Sequence, residues 1–348
     1  MASFDAETWC AILRRAAEAK ASDIHIAAGE RIFFRVSGVM RPTDDEAPAD
    51  GEITELLGTW LTPAQAALFR RRREIDFARA EGDIRVRVNA FCARGGTALA
   101  VRLVPERIPS LAELGAPELF GRLLELRHGL ILVTGSTGSG KTTTLAAYLD
   151  AVNQTRAAHI ITLEDPIEYV HVSKKSLVSQ RELGTHFSSF NRALRSALRE
   201  DPDIILVGEL RDADTVATAL GAAETGHLVL ASLHTQSAAE AVLRLESIFP
   251  AERQTQVRTQ LSIVLEAIVS QELLPGAEGG RVLAAEALAA TPAVRHLVHA
   301  GKPQQLASCI MSGAAFGMLS KRQAVERLAA QKKIARETAR RYLELGAS

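Results

Sequence analysis

The chain has 348 residues, of which 47% are hydrophobic and 24% are charged. At roughly 150 residues per domain this length suggests two domains, and the composition excludes a mostly disordered chain. The 41 basic and 41 acidic residues cancel, and aromatic residues make up only 5% of the chain. Without net positive charge or aromatic platforms, the sequence does not favour a nucleic-acid-binding protein.

Signals for membranes, secretion and metal sites are missing from the sequence. No apolar run approaches the ~18 residues that a membrane span requires. The first seven residues carry acids where a signal peptide has basic residues and an apolar stretch. The three cysteines, Cys10, Cys92 and Cys309, form no Cys-x-x-Cys pair, so we expect neither a zinc site nor a disulfide framework. These features predict a cytoplasmic protein.

Residues 1–105 have the pattern of a small α+β domain. An amphipathic helix comes first, then two alternating strands around a Gly29-Glu30 turn, two more helices, and a hairpin through Arg94-Gly95-Gly96. The predicted helices span 6–20, 51–60 and 63–72, and the predicted strands span 23–27, 31–36, 83–92 and 97–104. Prolines at 105, 109 and 117 then predict a linker at 106–117.

The pattern changes after this linker. Short, nearly continuous apolar runs alternate with helical segments, which is typical of buried parallel strands in an α/β sheet. These runs lie at 130–134, 159–163, 203–207 and 227–232. We predict an α/β domain over 118–290 and a helical region over 291–348. The alanine-rich stretch 283–293 is interrupted by Glu286 and Pro292 and predicts no particular element.

The most specific motif runs from Gly135 to Thr142, Gly-Ser-Thr-Gly-Ser-Gly-Lys-Thr, and matches G-x-x-x-x-G-K-[ST]. It follows a predicted strand and opens a predicted helix at 142–153. In that context glycines let backbone N–H groups surround a β-phosphate. Lys141 would contact the β- and γ-phosphates and the Thr142 hydroxyl would bind Mg²⁺. A chance glycine-rich turn would not need this context. The predicted nucleotide-binding residues are Gly135, Ser136, Thr137, Gly138, Ser139, Gly140, Lys141, Thr142 and Thr143.

Two carboxylates follow predicted strands. Glu209 ends the run at 203–207, the position of a second-strand acid in phosphate-loop enzymes, where it would orient or deprotonate the attacking water. The alternative is a surface ion pair with Arg211. Glu164, with its neighbour Asp165, ends the strand at 159–163 and would face the metal at the carboxyl edge of the sheet. Capping of a turn before Pro166 explains this pair equally well.

Two histidines, His227 and His234, flank the predicted strand at 228–232. A histidine at a strand end usually has a structural role. Because two of them frame one strand of the same sheet, a phosphate-sensing role is the alternative.

With these residues placed, the chain resembles the type IV pilus retraction (twitching-motility) ATPases, the PilT family of secretion-superfamily hexameric motors. The similarity begins at Ala21-Ser-Asp-Ile-His25, passes through Arg87-Val-Asn-Ala-Phe91 and extends into the helical tail. It is strongest in the phosphate loop and in three further motifs, which are the acidic box Thr162–Glu168, the segment Ala193–Glu209 and the histidine box Thr225–Thr235.

The resemblance implies a fold and a cellular role. The fold would be a RecA-like P-loop ATPase core (α/β) with a smaller PAS-like α+β domain before it and a helical tail after it. The protein would hydrolyse ATP with Mg²⁺ as a homo-hexamer. It would work at the cytoplasmic face of the inner membrane, without nucleic acid. It would be held there only through partners, including the inner-membrane platform protein of the pilus.

The resemblance also implies residue roles. By position, Glu209 matches the catalytic glutamate, Glu164 the acidic-box glutamate, which would join Thr142 at Mg²⁺, and His227 and His234 the histidine-box pair.

Arginines of the N-terminal domain would contact the nucleotide. Arg87 and Arg102 match best, although Arg85 and Arg94 lie close by in the sequence. An arginine supplied across an interface would stabilise the transferring phosphate.

The chain departs from the family pattern at two places. The phosphate loop has Ser136 where the family usually has Pro and Thr142 where it has Ser, both chemically tolerable. The C-terminal segment 293–300 matches the retraction motif Ala-Ile-Arg-Asn-Leu-Ile-Arg-Glu through Val298 but has His299 and Ala300 at its end. Since this motif is tied to retraction rather than to hydrolysis, the sequence supports ATPase activity better than it supports retraction.

Four alternatives remain open at this point. Assembly motors for pili or type II secretion share these motifs, but they usually have extra N-terminal domains and a four-cysteine metal site. An accessory retraction ATPase fits the change at His299. A nucleic-acid translocase on the same core would need the basic and aromatic surface that is missing. A regulator that hydrolyses nothing would leave Glu209 idle.

Overall fold

The structure is a computed structural model that describes residues 4–36, 38–82, 84–104 and 107–345. The chain divides into two compact units, Met1–Arg107 and Ile108–Ser348. Within the described ranges, no helix is long and apolar enough to cross a membrane.

The first unit is built on a six-stranded antiparallel sheet with strand order β3-β2-β1-β6-β5-β4. Alternation of apolar and polar residues places one face of this sheet in a core with Trp9, Ile24 and Val86. The strands are Ala21–Ala27 (β1), Phe33–Val36 (β2), Val39–Pro42 (β3), Glu74–Glu81 (β4), Ile84–Ala93 (β5) and Gly96–Val104 (β6). The helices are Ala6–Glu18 (α1), Asp50–Trp60 (α2) and Pro63–Arg72 (α3).

The four predicted strands and three predicted helices of this unit are present, but β3 and β4 were not predicted. Both are the outer strands of the sheet. All four residues of β3 are exposed, and β4 carries Glu74, Asp76, Arg79 and Glu81. Strand β3 has no buried residue and pairs through its backbone, which a hydrophobic pattern does not reveal. In β4 only Ile75 and Phe77 are buried, which is too short an alternation to predict a strand of eight residues.

The second unit is built on a seven-stranded sheet with order β13-β12-β7-β11-β10-β8-β9. Strands β12, β7, β11, β10, β8 and β9 pair in parallel, and β13 pairs antiparallel with β12. The strands are Gly129–Thr134 (β7), His159–Glu164 (β8), Leu177–Glu182 (β9), Ile204–Val207 (β10), Leu228–Leu233 (β11), Leu265–Pro275 (β12) and Arg281–Ala289 (β13).

Helices cover both faces of this sheet, and every residue of β7, β10 and β11 is buried. The helices are Leu119–Leu123 (α4), Lys141–Thr155 (α5), Phe190–Ala197 (α6), Ala213–Glu224 (α7), Ala238–Ser247 (α8), Ala251–Val264 (α9), Pro292–His299 (α10), Leu306–Ser312 (α11), Lys321–Ala330 (α12) and Arg336–Leu345 (α13). The helices after β13 form the helical C-terminal region that the sequence predicts.

Three strands of this unit, β9, β12 and β13, were not predicted. Residues 283–289 of the alanine-rich stretch, for which the sequence predicts no particular element, belong to β13, and residues 292 and 293 begin α10. Small side chains suffice there because β13 is paired with β12 along nine consecutive register positions. Tertiary pairing thus overrides the low strand propensity of alanine.

Candidate functional site

The phosphate loop lies at the carboxyl edge of the seven-stranded sheet. Strand β7 ends at Thr134, the loop follows, and α5 begins at Lys141. Strands β8, β10 and β11 run parallel to β7, so the residues that follow them reach the same edge. Glu164, Glu209 and His234 therefore share this edge with the loop, which is where open α/β sheets bind ligands.

The loop backbone requires glycine at the two glycine positions of the motif. Gly135 has φ of 147° and Gly140 has φ of 88°, both in the region that side-chain-bearing residues rarely adopt. A Cβ on Gly135 would lie 2.4 Å from the carbonyl oxygen of Gln271 and 2.4 Å from Ser139 Oγ. Only a glycine therefore fits at position 135, where the loop packs against Gln271 and folds back on Ser139 to form what we call the cradle.

Lys141 extends into this cradle and is buried. Its ammonium donates hydrogen bonds to the carbonyl oxygens of Gly135 (2.8 Å) and Ser136 (3.0 Å). Burial lowers its pKa, while the negative charges of Glu209 and Glu168 oppose that effect. Ser139 Oγ is buried beside it without a hydrogen-bond partner in the described chain. A buried cation, an unpartnered hydroxyl and a helix N-terminus together fit a phosphate group.

Glu164 is buried at the end of β8, and burial raises its pKa. Its Oε1 accepts hydrogen bonds from Thr162 Oγ1 (2.7 Å) and from Gln180 Nε2 (3.0 Å). The carboxyl group is thus held at the sheet edge by side chains of β8 and β9. These bonds do not cap a turn before Pro166, which was the alternative that the sequence left open for this residue.

The residue after the acidic box, Tyr169, contacts the phosphate-loop helix and was not singled out in the sequence analysis. The Tyr169 hydroxyl is 3.0 Å from Thr143 Oγ1 on α5. Gln180 donates to the Tyr169 carbonyl oxygen (2.8 Å) as well as to Glu164. Glu168 is close enough to Lys141 to affect its pKa. Glu168 belongs to the acidic box, so the sequence contained a signal that could have identified it as a site residue. Gln180 lies on β9, a strand that was not predicted, so the sequence contained no such signal for it.

Glu209 follows β10, and Arg211 and His234 both contact its carboxylate. Its Oε2 accepts a hydrogen bond from Arg211 Nε at 2.9 Å. The same oxygen lies 2.9 Å from Arg211 Nη2 and 3.4 Å from His234 Nε2. Arg211 also approaches Asp165 (Nη1 to Oδ2, 3.7 Å). The ion pair that the sequence left as an alternative is therefore present, and it lies at the phosphate-loop edge rather than on a remote surface.

His227 is not brought to this edge. It precedes β11, at the opposite end of the strand from His234, and its Nδ1 is 3.0 Å from the Ala222 carbonyl oxygen on α7. At ~3.3 Å per residue the strand separates the two histidines by roughly 20 Å. Within one chain His227 closes the end of α7, and its predicted site role stays a prediction.

Arg87 and Arg102 lie in the first unit. They are register partners on the adjacent strands β5 and β6. Both side chains are therefore on the same face of that sheet.

A search of the described ranges finds no cluster of three or more His, Cys, Asp or Glu residues able to hold a metal ion. Mg²⁺ does not need one, because it usually keeps several waters and takes one or two protein oxygens together with phosphate oxygens. Thr142 and Glu164 supply oxygen donors of that kind at this edge.

Comparison with known proteins shows the family to which the chain belongs. The sequence profile of the family "Type II/IV secretion system protein" matches residues 6–315. The type IV pilus retraction ATPase PilT of Pseudomonas aeruginosa is 44% identical over 330 residues, which are 94% of this chain and 96% of PilT. The type IV pilus ATPase PilU of the same organism is 37% identical over 330 residues, 94% of this chain and 86% of PilU. A crystal structure of the pilus retraction motor PilT with bound ADP superposes with a TM-score of 0.87 at 43% identity, covering 94% of both chains.

The chain belongs to the PilT family of secretion ATPases. Membership confirms the predicted fold class, a RecA-like P-loop ATPase core with a smaller N-terminal α+β domain of PAS-like type and a helical tail. It also confirms the predicted enzyme class, an ATPase. Nucleotide binding follows from the same similarity.

Proposed function

We propose that this ATPase powers retraction of a type IV pilus, as a ring of six subunits at the cytoplasmic face of the inner membrane. The observation that carries the proposal is the similarity to PilT over nearly the full length of both chains. The attachment would run through the inner-membrane platform protein of the pilus, without a membrane segment of its own.

We assign the phosphates of ATP to the loop from Gly135 to Thr143. Backbone N–H groups at the start of α5 and the ammonium of Lys141 would bind the β- and γ-phosphates. The bonds of Lys141 to two loop carbonyls hold its side chain within the cradle, so it needs no large movement to meet a phosphate. Ser139 would find its missing partner in a phosphate oxygen.

We assign Mg²⁺ to Thr142 and Glu164. When bound, Mg²⁺ neutralises charge on the β- and γ-phosphate oxygens. Thr142 stands at the first turn of α5, and Glu164 is fixed in place by Thr162 and Gln180. Both supply the oxygen ligands that this ion prefers.

Glu209 would orient the attacking water and accept its proton. Arg211 and His234 both contact Oε2, whereas Oε1 accepts no hydrogen bond from the described residues. The carboxylate is thus held through Oε2, and Oε1 would accept the hydrogen bond from the attacking water. His234 is the histidine of the pair that reaches this edge, and we propose it as a neighbour that senses the state of Glu209. Arg87 and Arg102 of the first unit would contact the nucleotide phosphates.

A specific observation keeps an accessory retraction role as the second candidate. His299 and Ala300, where the chain departs from the retraction motif, are exposed at the end of α10, whereas Val294 and Val298 are buried. The change therefore alters surface contacts of this helix and leaves its packing intact. The similarity to PilT, which is named a retraction ATPase, supports the retraction role itself.

An assembly motor is less well supported, because the three cysteines are unpaired and no metal cluster is found in the ranges that the structure describes. A nucleic-acid translocase finds no support in the balanced charge of the chain.

Pilus counts by electron microscopy test the proposal, in the organism that encodes this chain. The gene is deleted and complemented with the wild type, with Glu209→Gln, or with Glu252→Gln as a matched control at an exposed position on α9. We expect excess pili in the deletion strain, reversed by the wild type and by Glu252→Gln but not by Glu209→Gln. Bald cells would establish an assembly motor instead, and an unchanged count would refute a principal role in retraction.

A further inference from the structure

A row of charged side chains crosses the first unit's sheet. Asp23 on β1 is the register partner of Arg102 on β6, and Arg102 is the partner of Arg87 on β5. On its other side Asp23 is paired with Arg35 of β2. Register partners share one face of a sheet, so these four residues form a line across adjacent strands. The alternate residues, including Ile24, Val86 and Val101, are buried in the core on the opposite face.

The contact between Asp23 and Arg102 has a particular geometry. Asp23 Oδ1 accepts a hydrogen bond from Arg102 Nε at 2.9 Å, and its Oδ2 accepts one from Ser22 Oγ at 2.8 Å. The Asp23 side chain is 15% exposed, whereas that of Arg102 is 63% exposed. The carboxylate is therefore anchored in the sheet and holds the guanidinium at its inner nitrogen.

Holding Arg102 at Nε leaves its outer end available. Neither Nη1 nor Nη2 of Arg102 makes a hydrogen bond within the part of the chain that the structure describes. These two nitrogens form the planar fork with which arginine binds a phosphate or carboxylate through two parallel hydrogen bonds. Since the salt bridge also restrains the side chain, less rotamer entropy is lost when an anion binds.

The row carries more positive charge than its own acid can balance. Asp23 is the single carboxylate among three guanidiniums, and Arg35 is already tied to the carbonyl oxygen of Gly38 at 3.1 Å. Arg87 makes neither a hydrogen bond nor an ion pair with any described residue, not even with Asp76, which lies one strand away opposite Asn89. Like charges directly opposite each other on a sheet are destabilising.

A second unsatisfied donor lies on the same face. Arg85 is two residues before Arg87 on β5, and its Nε is buried without a hydrogen-bond partner in the described chain. Unpaired guanidiniums side by side, one of them held with its fork outward, are the chemistry of a site for a compact multivalent anion. Because the chain is an ATPase, the anion of this class that it meets in its own reaction is a nucleotide phosphate.

We propose that Asp23 is a positioning residue that holds Arg102 ready to bind a phosphate group of the nucleotide, with Arg87 as the neighbouring second donor. This inference rests on the proposed function, in which arginines of the first unit contact the phosphates. It ranks arginines that the sequence leaves equivalent. Among the three arginines of the row, Arg102 alone has both an anchoring acid and two outer nitrogens without a partner in the described chain. Asp23 acts through Arg102 and does not itself touch the nucleotide.

The test is a double-mutant cycle on ATP hydrolysis by the purified full-length protein, using Asp23→Ala, Asp23→Asn, Arg102→Gln and the Asp23→Ala/Arg102→Gln double variant. An arginine that stabilises the transferring phosphate is worth ~10³ or more in kcat, so we expect Arg102→Gln to reduce kcat by at least ~10²-fold. Asp23→Ala leaves the guanidinium present but unrestrained, and we expect a loss of about tenfold in kcat with KM changed by less than about twofold. Asp23→Asn keeps an oxygen acceptor for Nε and should recover most of this loss.

Two controls accompany the cycle. Arg35→Gln removes one positive charge from the same row, but from a side chain tied to its own hairpin, and we expect kcat to stay at the wild-type value. Both tryptophans, Trp9 and Trp60, lie in the core of the first unit, so their fluorescence reports whether each variant keeps that unit folded.

The outcomes separate the inference from the function on which it rests. A wild-type kcat in Asp23→Ala, or losses that multiply in the double variant, would overturn the positioning role. So would a fall in thermal stability and kcat that Asp23→Asn does not relieve, because that is the signature of a purely structural salt bridge. If Arg102→Gln alone is fully active, the phosphate contact is wrong, while pilus counts with Glu209→Gln still judge the retraction proposal separately.

Discussion

Replacing His171 with leucine should make the second unit less sensitive to acid. His171 is buried in the segment between the acidic box and β9, and burial lowers its pKa from 6.5 to about 4. Its Nδ1 is buried without a hydrogen-bond partner among the described residues. The ring is therefore neutral in the folded protein, and leucine is close to it in volume without a titratable group.

The sign and size of the effect follow from proton linkage. Between pH 6.5 and about 4 the unfolded chain protonates His171 and the folded chain does not. Stability is therefore fully present above the unfolded pKa and is lost as the pH falls. The shift corresponds to about 3 kcal/mol at full effect, of which about 2 kcal/mol is lost between roughly pH 7 and pH 5.

Urea unfolding followed by circular dichroism over this pH range measures the effect. The free energy of unfolding of His171→Leu should fall less than that of the wild type by about 2 kcal/mol between roughly pH 7 and pH 5. The same substitution at His299, exposed at the end of α10, is the control and should follow the wild type. If the curves of wild type and His171→Leu stay parallel, burial does not hold this ring neutral and the reasoning is refuted.

Three further substitutions test other parts of the second unit. Lys141→Ala should abolish ATP binding in a titration with labelled nucleotide, and an unchanged Kd would exclude the loop as the phosphate site. Gly135→Ala places a Cβ 2.4 Å from the Gln271 carbonyl oxygen. At a strain of about 1–3 kcal/mol we expect ADP affinity to fall roughly 5- to 150-fold, with the circular dichroism spectrum retained. Tyr342→Phe removes the 2.5 Å hydrogen bond to Glu272 Oε2. We expect the free energy of local opening, measured by amide hydrogen exchange, to fall by about 1–2 kcal/mol in α12 and α13 and nowhere else. Unchanged exchange there would show that this bond does not hold the C-terminal helices.

Local patterns predicted the elements whose own residues carry the signal. The phosphate loop was readable because its glycines, lysine and threonine stand in one stretch between an apolar strand and a helix. Strands β7, β10 and β11 were readable because they are buried on both faces and therefore apolar throughout. Strands β3 and β13 were missed because backbone pairing with a neighbour, rather than side-chain pattern, makes them strands.

The same division applies to the candidate site. The spacing of Glu164, Glu209 and His234 after their strands is a local signal, and parallel pairing turns it into a shared edge. The sequence treated His227 and His234 as a pair, but the direction of β11 places them at opposite ends of the strand. The partners of Glu164 include Gln180, which is sixteen residues away on the edge strand β9.

By itself, the sequence determined that this protein has an α/β phosphate-loop core and belongs among ATPases of this family, because those features reside in contiguous motifs. Only the tertiary structure decided which groups neutralise one another. Glu209 is bound by Arg211 and lies near His234, and Arg102 is anchored by Asp23 although 79 residues separate them along the chain. Electrostatic partners are chosen by distance in space, and strand order and register bring distant residues within a few ångströms of each other.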